Sequence, residues 1–224
     1  MKTYLRLSNV QEMELPAEFR GDDVRFSESL AEFFIQQYSQ PGDVVFDPFT
    51  GFGTTLRVTE RLNRIPYGIE FDTRRVEYVR TLLQHPDHLI HGDSRLLREY
   101  ALPPFDFSLT SPPYMSKNDR EDPFTAYTQS GSGYTAYLRN LQQIYAQMRR
   151  LMKPGARLVI EASNLKGNDG VTTLAWDIAN AVGQVLVFEG EIVIEWEGSN
   201  SYGYDHSYAL VFSLDEKFGK GNAR

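Results

Sequence analysis

The stretch that decides the fold of this chain is Val44-Val45-Phe46-Asp47-Pro48-Phe49-Thr50-Gly51-Phe52-Gly53-Thr54-Thr55. It predicts a buried strand, a glycine-rich turn and the start of a helix. Gly51 and Gly53 permit a tight turn and let a ligand approach the backbone closely. No Lys-Ser or Lys-Thr pair follows the glycines, so the stretch is not a phosphate-binding loop. It also lacks the third glycine of the dinucleotide fingerprint.

Two further strand ends supply carboxylates. The apolar run 67–72 contains Glu70, which follows the glycine turn at about the 20-residue spacing at which an acid binds ribose hydroxyls in doubly wound folds. The run 88–91 predicts a third strand, and after it comes Asp93, a candidate acceptor for an adenine amino group. Together these strand ends predict an adenosine pocket without a phosphate-binding lysine.

A rigid, uncharged turn follows the predicted strand 105–109, and its sequence is Thr110-Ser111-Pro112-Pro113-Tyr114. Two prolines fix φ and bias the residue before each toward extended geometry. The turn exposes backbone carbonyls and holds one aromatic face beside them, which suits a planar ring that carries an amino group. Ser-Pro-Pro is also an ordinary break between a strand and a loop, so this turn alone leaves both interpretations open.

Strands alternate with helices along the chain. We predict helices over 29–38, 54–63, 73–84, 134–153 and 174–182, and further strands over 157–161, 185–196 and 208–214. This alternation favours a doubly wound α/β fold with a mostly parallel sheet, whose last strands run antiparallel. Late acidic residues alternate with apolar ones, as is typical of an antiparallel edge strand; they are Glu189, Glu191, Glu195 and Glu197. We expect one domain over 1–224, with an N-terminal extension at 1–22 and a frayed tail at 219–224.

The motifs together resemble those of the amino-group DNA methyltransferases, which modify N4 of cytosine or N6 of adenine. The pattern Asp-Pro-Phe-x-Gly-x-Gly-Thr-Thr followed by Ser-Pro-Pro-Tyr carries the resemblance, which runs from the mid-twenties to the last strand. It implies a Rossmann-like methyltransferase fold of seven strands, with S-adenosylmethionine as the cofactor. The residues it assigns to cofactor binding are Phe26, Ser27, Asp47, Pro48, Phe49, Gly51, Gly53, Thr54, Thr55, Glu70, Phe71, Asp93 and Ser94. Those it assigns to catalysis are Ser111, Pro112, Pro113 and Tyr114.

The resemblance also implies a reaction. The Ser111 side chain and the Pro112 carbonyl would accept the hydrogens of an exocyclic amine and free its lone pair for direct in-line methyl transfer. Tyr114 would stack on a base flipped out of the duplex. A serine at the first position of this motif favours N4 of cytosine over N6 of adenine. Because the chain has no cysteine, the covalent thiolate route to C5 methylation of cytosine is excluded within the resemblance.

Two loops are candidates for target binding. The long polar loop 115–133 follows the predicted catalytic turn, which we define as Ser111 to Tyr114, and it contains Phe124 and Tyr127 as candidate base contacts. The segment before the last strand offers Tyr202, Tyr204 and His206 as a wall of the base pocket. No added recognition region is evident. We therefore expect the target to be read by the loop, by a homodimer or separate specificity subunit, or else to be RNA.

Composition limits the other classes of function. The net charge of −7 argues against a uniformly basic nucleic-acid-binding surface but allows a segregated one. No histidine pair has metal-ligand spacing, so we expect no metal. The absence of a signal-like or membrane-spanning apolar run favours a cytoplasmic protein. We thus expect a site-specific DNA methyltransferase of the restriction-modification kind. The alternatives are a tRNA or rRNA amino-methyltransferase and a non-catalytic subunit of a methylase complex.

Overall fold

The computed structural model describes residues 2–125, 133–168, 170–197 and 203–214. Its strands are β1 (Tyr4–Ser8), β2 (Val44–Asp47), β3 (Ile65–Glu70), β4 (Leu89–His91), β5 (Phe105–Thr110), β6 (Met152–Ala162), β7 (Leu165–Gly167), β8 (Gly170–Thr172), β9 (Val187–Glu197) and β10 (His206–Ser213). Its α-helices are α1 (Glu28–Tyr38), α2 (Thr54–Arg61), α3 (Thr73–Arg80), α4 (Gly133–Met148) and α5 (Leu174–Val182). None of these helices is both long and apolar enough to cross a bilayer.

The main sheet has eight strands in the order β1-β9-β10-β6-β5-β2-β3-β4, and β7 pairs with β8 in a separate hairpin. Strand β10 is antiparallel to both of its neighbours, β6 and β9, whereas the other neighbouring pairs are parallel. The predicted doubly wound, mostly parallel α/β fold is therefore confirmed. Of the last strands, which were expected to run antiparallel, only β10 does so among the described strands of the main sheet.

Two expectations about the sheet edge were wrong. The resemblance implied seven strands, but β1 adds an eighth from within the N-terminal extension and pairs in parallel with β9. The acidic strand β9 is consequently not an edge strand, because β1 covers its outer side. Arg6 on β1 lies 3.2 Å from Glu197 and 3.8 Å from Glu195, so the acidic residues of β9 have a cationic partner there.

The predicted helix 134–153 was too long at its carboxyl end. Helix α4 ends at Met148, and β6 already begins at Met152, where it pairs with Phe105. The pairing register shifts between Phe105 and Phe107. This irregularity accommodates Pro154, which lacks an N–H, and Gly155, whose φ is +82°. The Pro-Gly pair therefore lies inside a strand with a bulge.

The elements position the carboxyl ends of the parallel strands for a site. Adjacent residues of β2 face opposite sides of the sheet, so that Val45 packs against the α1 side and Phe46 against the α4–α5 side. Helix α3 is capped by the Asp72 carboxylate, which accepts from the N–H groups of Arg74 and Arg75. Both faces are thus covered by helices, and the functional edge is left open.

Candidate active site

A cleft of about 1460 Å³ opens where β2, β3, β5 and β6 end. The residues predicted for cofactor binding and catalysis that line it are Phe26, Asp47, Pro48, Phe49, Gly51, Thr54, Thr55, Glu70, Phe71, Asp93, Ser94, Ser111, Pro112, Pro113 and Tyr114. Gly51 and Tyr114 therefore border one cavity. Ser27 is not in the lining; it is fully buried, and its hydroxyl lies 2.8 Å from that of Ser29.

The glycine turn depends on both of its glycines, for different reasons. Gly51 has φ of +56°, and a Cβ there would meet only the Phe49 carbonyl oxygen, at 3.9 Å, which leaves its backbone accessible from the cleft. Gly53 has φ of +81°, and a Cβ there would lie 2.6 Å from Val79 Cγ1. Gly53 is not in the cleft lining, so its role is to start α2 and admit the close packing of α3. The ligand-facing glycine is Gly51.

Glu70 at the end of β3 fixes the turn. The Gly51 N–H donates to Glu70 Oε2 at 2.7 Å, and the Asp72 N–H donates to Oε1 at 2.8 Å. Burial raises the pKa of Glu70, and these backbone donors oppose the rise. Each carboxylate oxygen keeps a lone pair for a further donor. Glu70 is thus placed to bind hydroxyl groups that enter the cleft beside Gly51.

Asp47 at the end of β2 is the most deeply buried acid of the turn. Thr110 Oγ1 donates to its Oδ1 at 2.6 Å, and the Phe49 N–H donates to the same oxygen at 2.9 Å. Burial nevertheless raises the pKa of the Asp47 carboxyl to about 6, because desolvation outweighs these hydrogen bonds. Asp47 thus links the glycine turn to β5, the strand that carries the catalytic turn.

The predicted adenine-binding position is already engaged by a cation. Arg95 Nη2 lies 2.6 Å from Asp93 Oδ2, and Arg95 Nε donates to the same oxygen at 2.9 Å. An adenine amino group at Asp93 would therefore share the carboxylate with Arg95. The adjacent Ser94 hydroxyl donates to the Pro48 carbonyl, which fastens this corner of the cleft to the glycine turn.

The predicted catalytic turn is anchored by Glu161, an acid outside the predicted motifs. Ser111 Oγ and the Tyr114 hydroxyl each donate to Glu161 Oε2 at 3.0 Å. The Ser163 N–H donates to the Tyr114 oxygen at 2.9 Å. Burial raises the pKa of Glu161, and the hydroxyl donors around it oppose the rise. The two polar side chains of the turn thus converge on one buried carboxylate.

A sequence signal for Glu161 did exist. It is the carboxylate that follows the apolar run Leu158-Val159-Ile160 near the carboxyl end of β6, much as Glu70 ends β3. The strand was predicted, but its terminal acid was not assigned a role.

The proline carbonyls differ in their surroundings. The Tyr137 hydroxyl of α4 donates to the Pro113 carbonyl at 2.9 Å, so this carbonyl is already bonded within the protein. The Pro112 carbonyl is the one predicted to accept a hydrogen of the target amine. The bond from Tyr137 holds the second proline in place and thereby fixes the direction of the turn.

The predicted target-binding residues fall into three groups. Phe124 lines the cleft, but its ring is only 9% exposed and lies 5.9 Å from the Phe49 ring and 5.5 Å from the Tyr137 ring. Tyr204 and His206 are not in the cleft lining; their rings form an edge contact with each other at 5.4 Å. Tyr127 and Tyr202 lie outside the described residues.

The described residues suit a cationic nucleoside better than a phosphate-rich cofactor. Carboxylates end β2, β3 and β6 around the cleft, and burial raises the pKa of each. Thr54 Oγ1, at the start of α2, is buried and lacks a hydrogen-bond partner within the described residues, so a polar ligand group would satisfy it. Among these residues there is no cluster of His, Cys, Asp and Glu suited to a metal ion.

Comparisons with known proteins agree with this geometry. A family model described as DNA methylase matches residues 7–81, a segment that includes the glycine turn and Glu70 and ends before Ser111. Type II methyltransferase M.BglII from Bacillus subtilis is 36% identical over 79 residues, which are 34% of this chain and 22% of that protein. Orphan methyltransferase M.BamHII from Bacillus amyloliquefaciens is 49% identical over 45 residues, or 20% and 17% of the two chains. The matched segments thus span about a fifth of the length of these relatives.

Solved structures support the fold over most of the chain. TrmN from Thermus thermophilus superposes with a TM-score of 0.60 at 18% identity and covers 91% of this chain and 55% of that one. The glycopeptide N-methyltransferase MtfA, solved with S-adenosylmethionine, gives a TM-score of 0.55 at 13% identity, over 84% of this chain and 94% of that one. At such identities the likeness establishes the architecture of the sheet and its helices.

Proposed function

We propose that this chain is an amino-group methyltransferase with S-adenosylmethionine as its cofactor, and that it methylates an exocyclic amino group of a base in DNA. We place N4 of cytosine ahead of N6 of adenine, since an uncharged serine opens the catalytic turn. The observation that carries the proposal is the single cleft bordered by Gly51, Glu70 and Tyr114. When bound, S-adenosylmethionine supplies an electrophilic methyl group.

In this proposal the glycine-turn side of the cleft holds the cofactor. Glu70 accepts hydrogen bonds from the ribose hydroxyls, because its oxygens retain acceptor capacity beyond the two backbone N–H groups. Asp93 and Ser94 bind at the adenine end, and the Thr54 hydroxyl bonds to the methionine end. The buried acids favour a positively charged ligand, since an opposite charge stabilises a carboxylate that burial disfavours.

Ser111 and Glu161 would prepare the target amine. Ser111 Oγ directs its one proton to Glu161, so its lone pairs are free to accept a hydrogen of the amine. A methylated amine nitrogen must release a proton. We propose that this proton moves to Ser111 Oγ while the serine proton moves to Glu161 Oε2. The raised pKa of Glu161 makes it a better acceptor near neutral pH than an ordinary glutamate.

Tyr114 would provide the aromatic surface on which the target base stacks. Its hydroxyl accepts from the Ser163 N–H and donates to Glu161, so the ring has a fixed orientation before any base arrives. A preorganised aromatic face reduces the ordering cost of stacking. The amine cannot be reached inside a duplex, so the target base must leave the stack.

The test is methyl transfer from tritium-labelled S-adenosylmethionine to duplex DNA, single-stranded DNA and bulk transfer RNA, followed by nucleoside analysis. We expect N4-methylcytosine from DNA. N6-methyladenine would overturn the assignment of the base, methylated RNA would overturn the assignment of DNA, and no transfer to any substrate would favour a non-catalytic subunit.

The variant Glu161→Gln tests the proton acceptor. Loss of general-base assistance typically costs about 10²- to 10⁴-fold in turnover, and we expect a loss in this range with cofactor affinity retained. Glu77→Gln is the matched control, because Glu77 is exposed on α3. Turnover equal to that of the control would exclude a role for Glu161.

How the target is read is also a proposal. We assign it to the loop 115–133, assisted by a second copy or a specificity subunit, as in a restriction-modification system. The described part of this loop borders the cleft, which supports its proximity to the base. We further propose that residues 1–224 act as one catalytic domain in the cytoplasm.

A further inference from the structure

Besides the hydroxyls of Ser111 and Tyr114, a third hydroxyl approaches Glu161 from the side opposite the catalytic turn. Ala209 of β10 pairs with Glu161 of β6, so Ser207, two residues earlier, lies diagonally across from Glu161 on the same face of the sheet, where its hydroxyl lowers the pKa of that carboxyl. The Trp196 indole N–H of β9 donates to Ser207 Oγ at 3.0 Å. All three side chains are nearly inaccessible, with exposures of 7% for Glu161, 1% for Ser207 and 7% for Trp196. The chain of contacts thus runs from β9 through β10 to the end of β6.

The chemistry of these groups fixes the direction of each hydrogen bond. An indole N–H can only donate, so Ser207 Oγ must accept from Trp196. The one proton of Ser207 is then free to point at Glu161, which accepts when ionised. The same logic holds on the other side, where the Ser163 N–H donates to the Tyr114 oxygen and the phenol proton points at Glu161. Ser207 is therefore oriented by Trp196, and the Tyr114 hydroxyl by the Ser163 N–H. The third donor, Ser111, is held by the catalytic turn.

We propose that Trp196 and Ser207 are positioning residues for methyl transfer, which keep Glu161 ionised and oriented as the acceptor for Ser111. This inference rests on the proposed function. The indole orients the serine hydroxyl, and the hydroxyl stabilises the charged carboxylate in a buried place. Of the three hydroxyls that lower the pKa of Glu161 against the effect of burial, that of Ser207 has the largest influence.

The surroundings of Glu161 explain why hydroxyl groups control its pKa. The neighbouring elements carry several titratable or charged side chains. They include Tyr114 after β5, Asp47 at the end of β2, Lys166 on β7, Glu195 on β9, His206 and Tyr208 on β10, and Lys153 and Arg157 on β6 itself. The influences that act on the Glu161 pKa are burial and the hydroxyls of Ser207, Tyr114 and Ser111. Within the described residues, hydroxyl donors therefore stabilise the ionised form of Glu161, as a neighbouring cation stabilises other buried carboxylates.

Ser207→Ala is the decisive variant, and Ser213→Ala is its control at the far end of the same strand, opposite Arg157. A hydrogen bond to a charged group corresponds to about a tenfold change or more in an acid dissociation constant. We expect the acidic limb of kcat against pH to move up by about one pH unit in Ser207→Ala, with the KM for S-adenosylmethionine unchanged. Ser207→Thr, which restores the hydroxyl, should return the limb to its wild-type position. Trp196→Phe should give a smaller shift in the same direction.

A second readout does not depend on activity. The carboxyl carbon of Glu161 can be followed by ¹³C NMR through a pH titration and identified by its loss in Glu161→Gln. Its midpoint should rise in Ser207→Ala and stay unchanged in Ser213→Ala. An active enzyme whose pH limb and NMR midpoint are the same in Ser207→Ala as in the wild type overturns the inference and leaves the proposed function intact. If the wild type transfers no methyl group, the proposed function fails, and the NMR midpoint alone decides whether Ser207 controls Glu161.

Discussion

Replacing Asp47 by asparagine tests the electrostatics of the cleft through the stability of the protein. Burial raises the pKa of this carboxyl from 3.8 to about 6, against the opposing hydrogen bonds from Thr110 and Phe49. A carboxyl whose pKa is higher in the folded state binds its proton more tightly there. Its contribution to stability is therefore full below pH 3.8 and is lost as the pH rises through about 6. The difference between the two pKa values, 3.8 and about 6, corresponds to about 3 kcal/mol of unfolding free energy.

The Asp47→Asn variant has no such dependence, because its amide does not titrate. The asparagine oxygen can still accept from Thr110 and Phe49. Relative to the wild type, the variant should gain about 2 kcal/mol between pH 4 and pH 8, because part of the total effect has already appeared at pH 4. The assay is urea unfolding of both proteins without cofactor, followed by tryptophan fluorescence. Glu70 and Glu161 are present in both proteins, so their contributions cancel to first order in the difference.

Asp72→Asn is the control with the opposite sign. Although partial burial raises the pKa of Asp72, hydrogen bonds from Arg74 and from the N–H groups of Arg74 and Arg75 lower it on balance. Its contribution to stability is therefore present above pH 3.8 and is lost as the pH falls below that value, so at acidic pH the difference between Asp72→Asn and the wild type should slope the other way. A difference between Asp47→Asn and the wild type that stays flat from pH 4 to pH 8 would refute the reasoning.

Three further predictions concern packing and the catalytic turn. A Cβ at Gly68 would lie 2.2 Å from Thr50 Oγ1, so Gly68→Ala should lose about 1–3 kcal/mol in urea unfolding, whereas Gly21→Ala, in open space, should not; equal losses would contradict the steric argument. Tyr114→Phe removes the hydroxyl tether, so kcat should fall while the calorimetric affinity for S-adenosylmethionine is kept; unchanged kcat would show that the tether is dispensable. Phe124→Ala empties a buried aromatic site and should cost about 3–5 kcal/mol in the same unfolding assay, and a loss below 1 kcal/mol would indicate a surface contact instead.

Local chemistry made part of the structure predictable from the sequence. Helix α5 was predicted with the observed bounds, and α1 to within one residue, because both have apolar periodicity. The glycine turn and Glu70 were predictable as neighbours, because the carboxyl ends of parallel strands meet at one edge. In these cases the information lies within a short window of the chain.

The features that the sequence did not reveal depend on pairing between distant segments. Strand β1 is short, and only its partner β9 satisfies its backbone groups, so its pattern alone did not identify it. Strand β6 starts before the Pro-Gly pair because Met152 pairs with Phe105 of β5. Glu161 acquires a role only because Ser111 and Tyr114 lie across from it. Tertiary pairing decided each of these outcomes against local propensity.

The single reversed strand explains how residues from the end of the chain reach the catalytic turn. A parallel strand brings its carboxyl end to the functional edge, whereas β10, being antiparallel, brings its amino end there. Ser207, the second residue of β10, is therefore near Glu161, which lies at the carboxyl end of β6. Trp196, near the carboxyl end of β9, meets Ser207 from the other side. A fully parallel sheet would place the far end of β10 at this edge and leave Glu161 without its third donor.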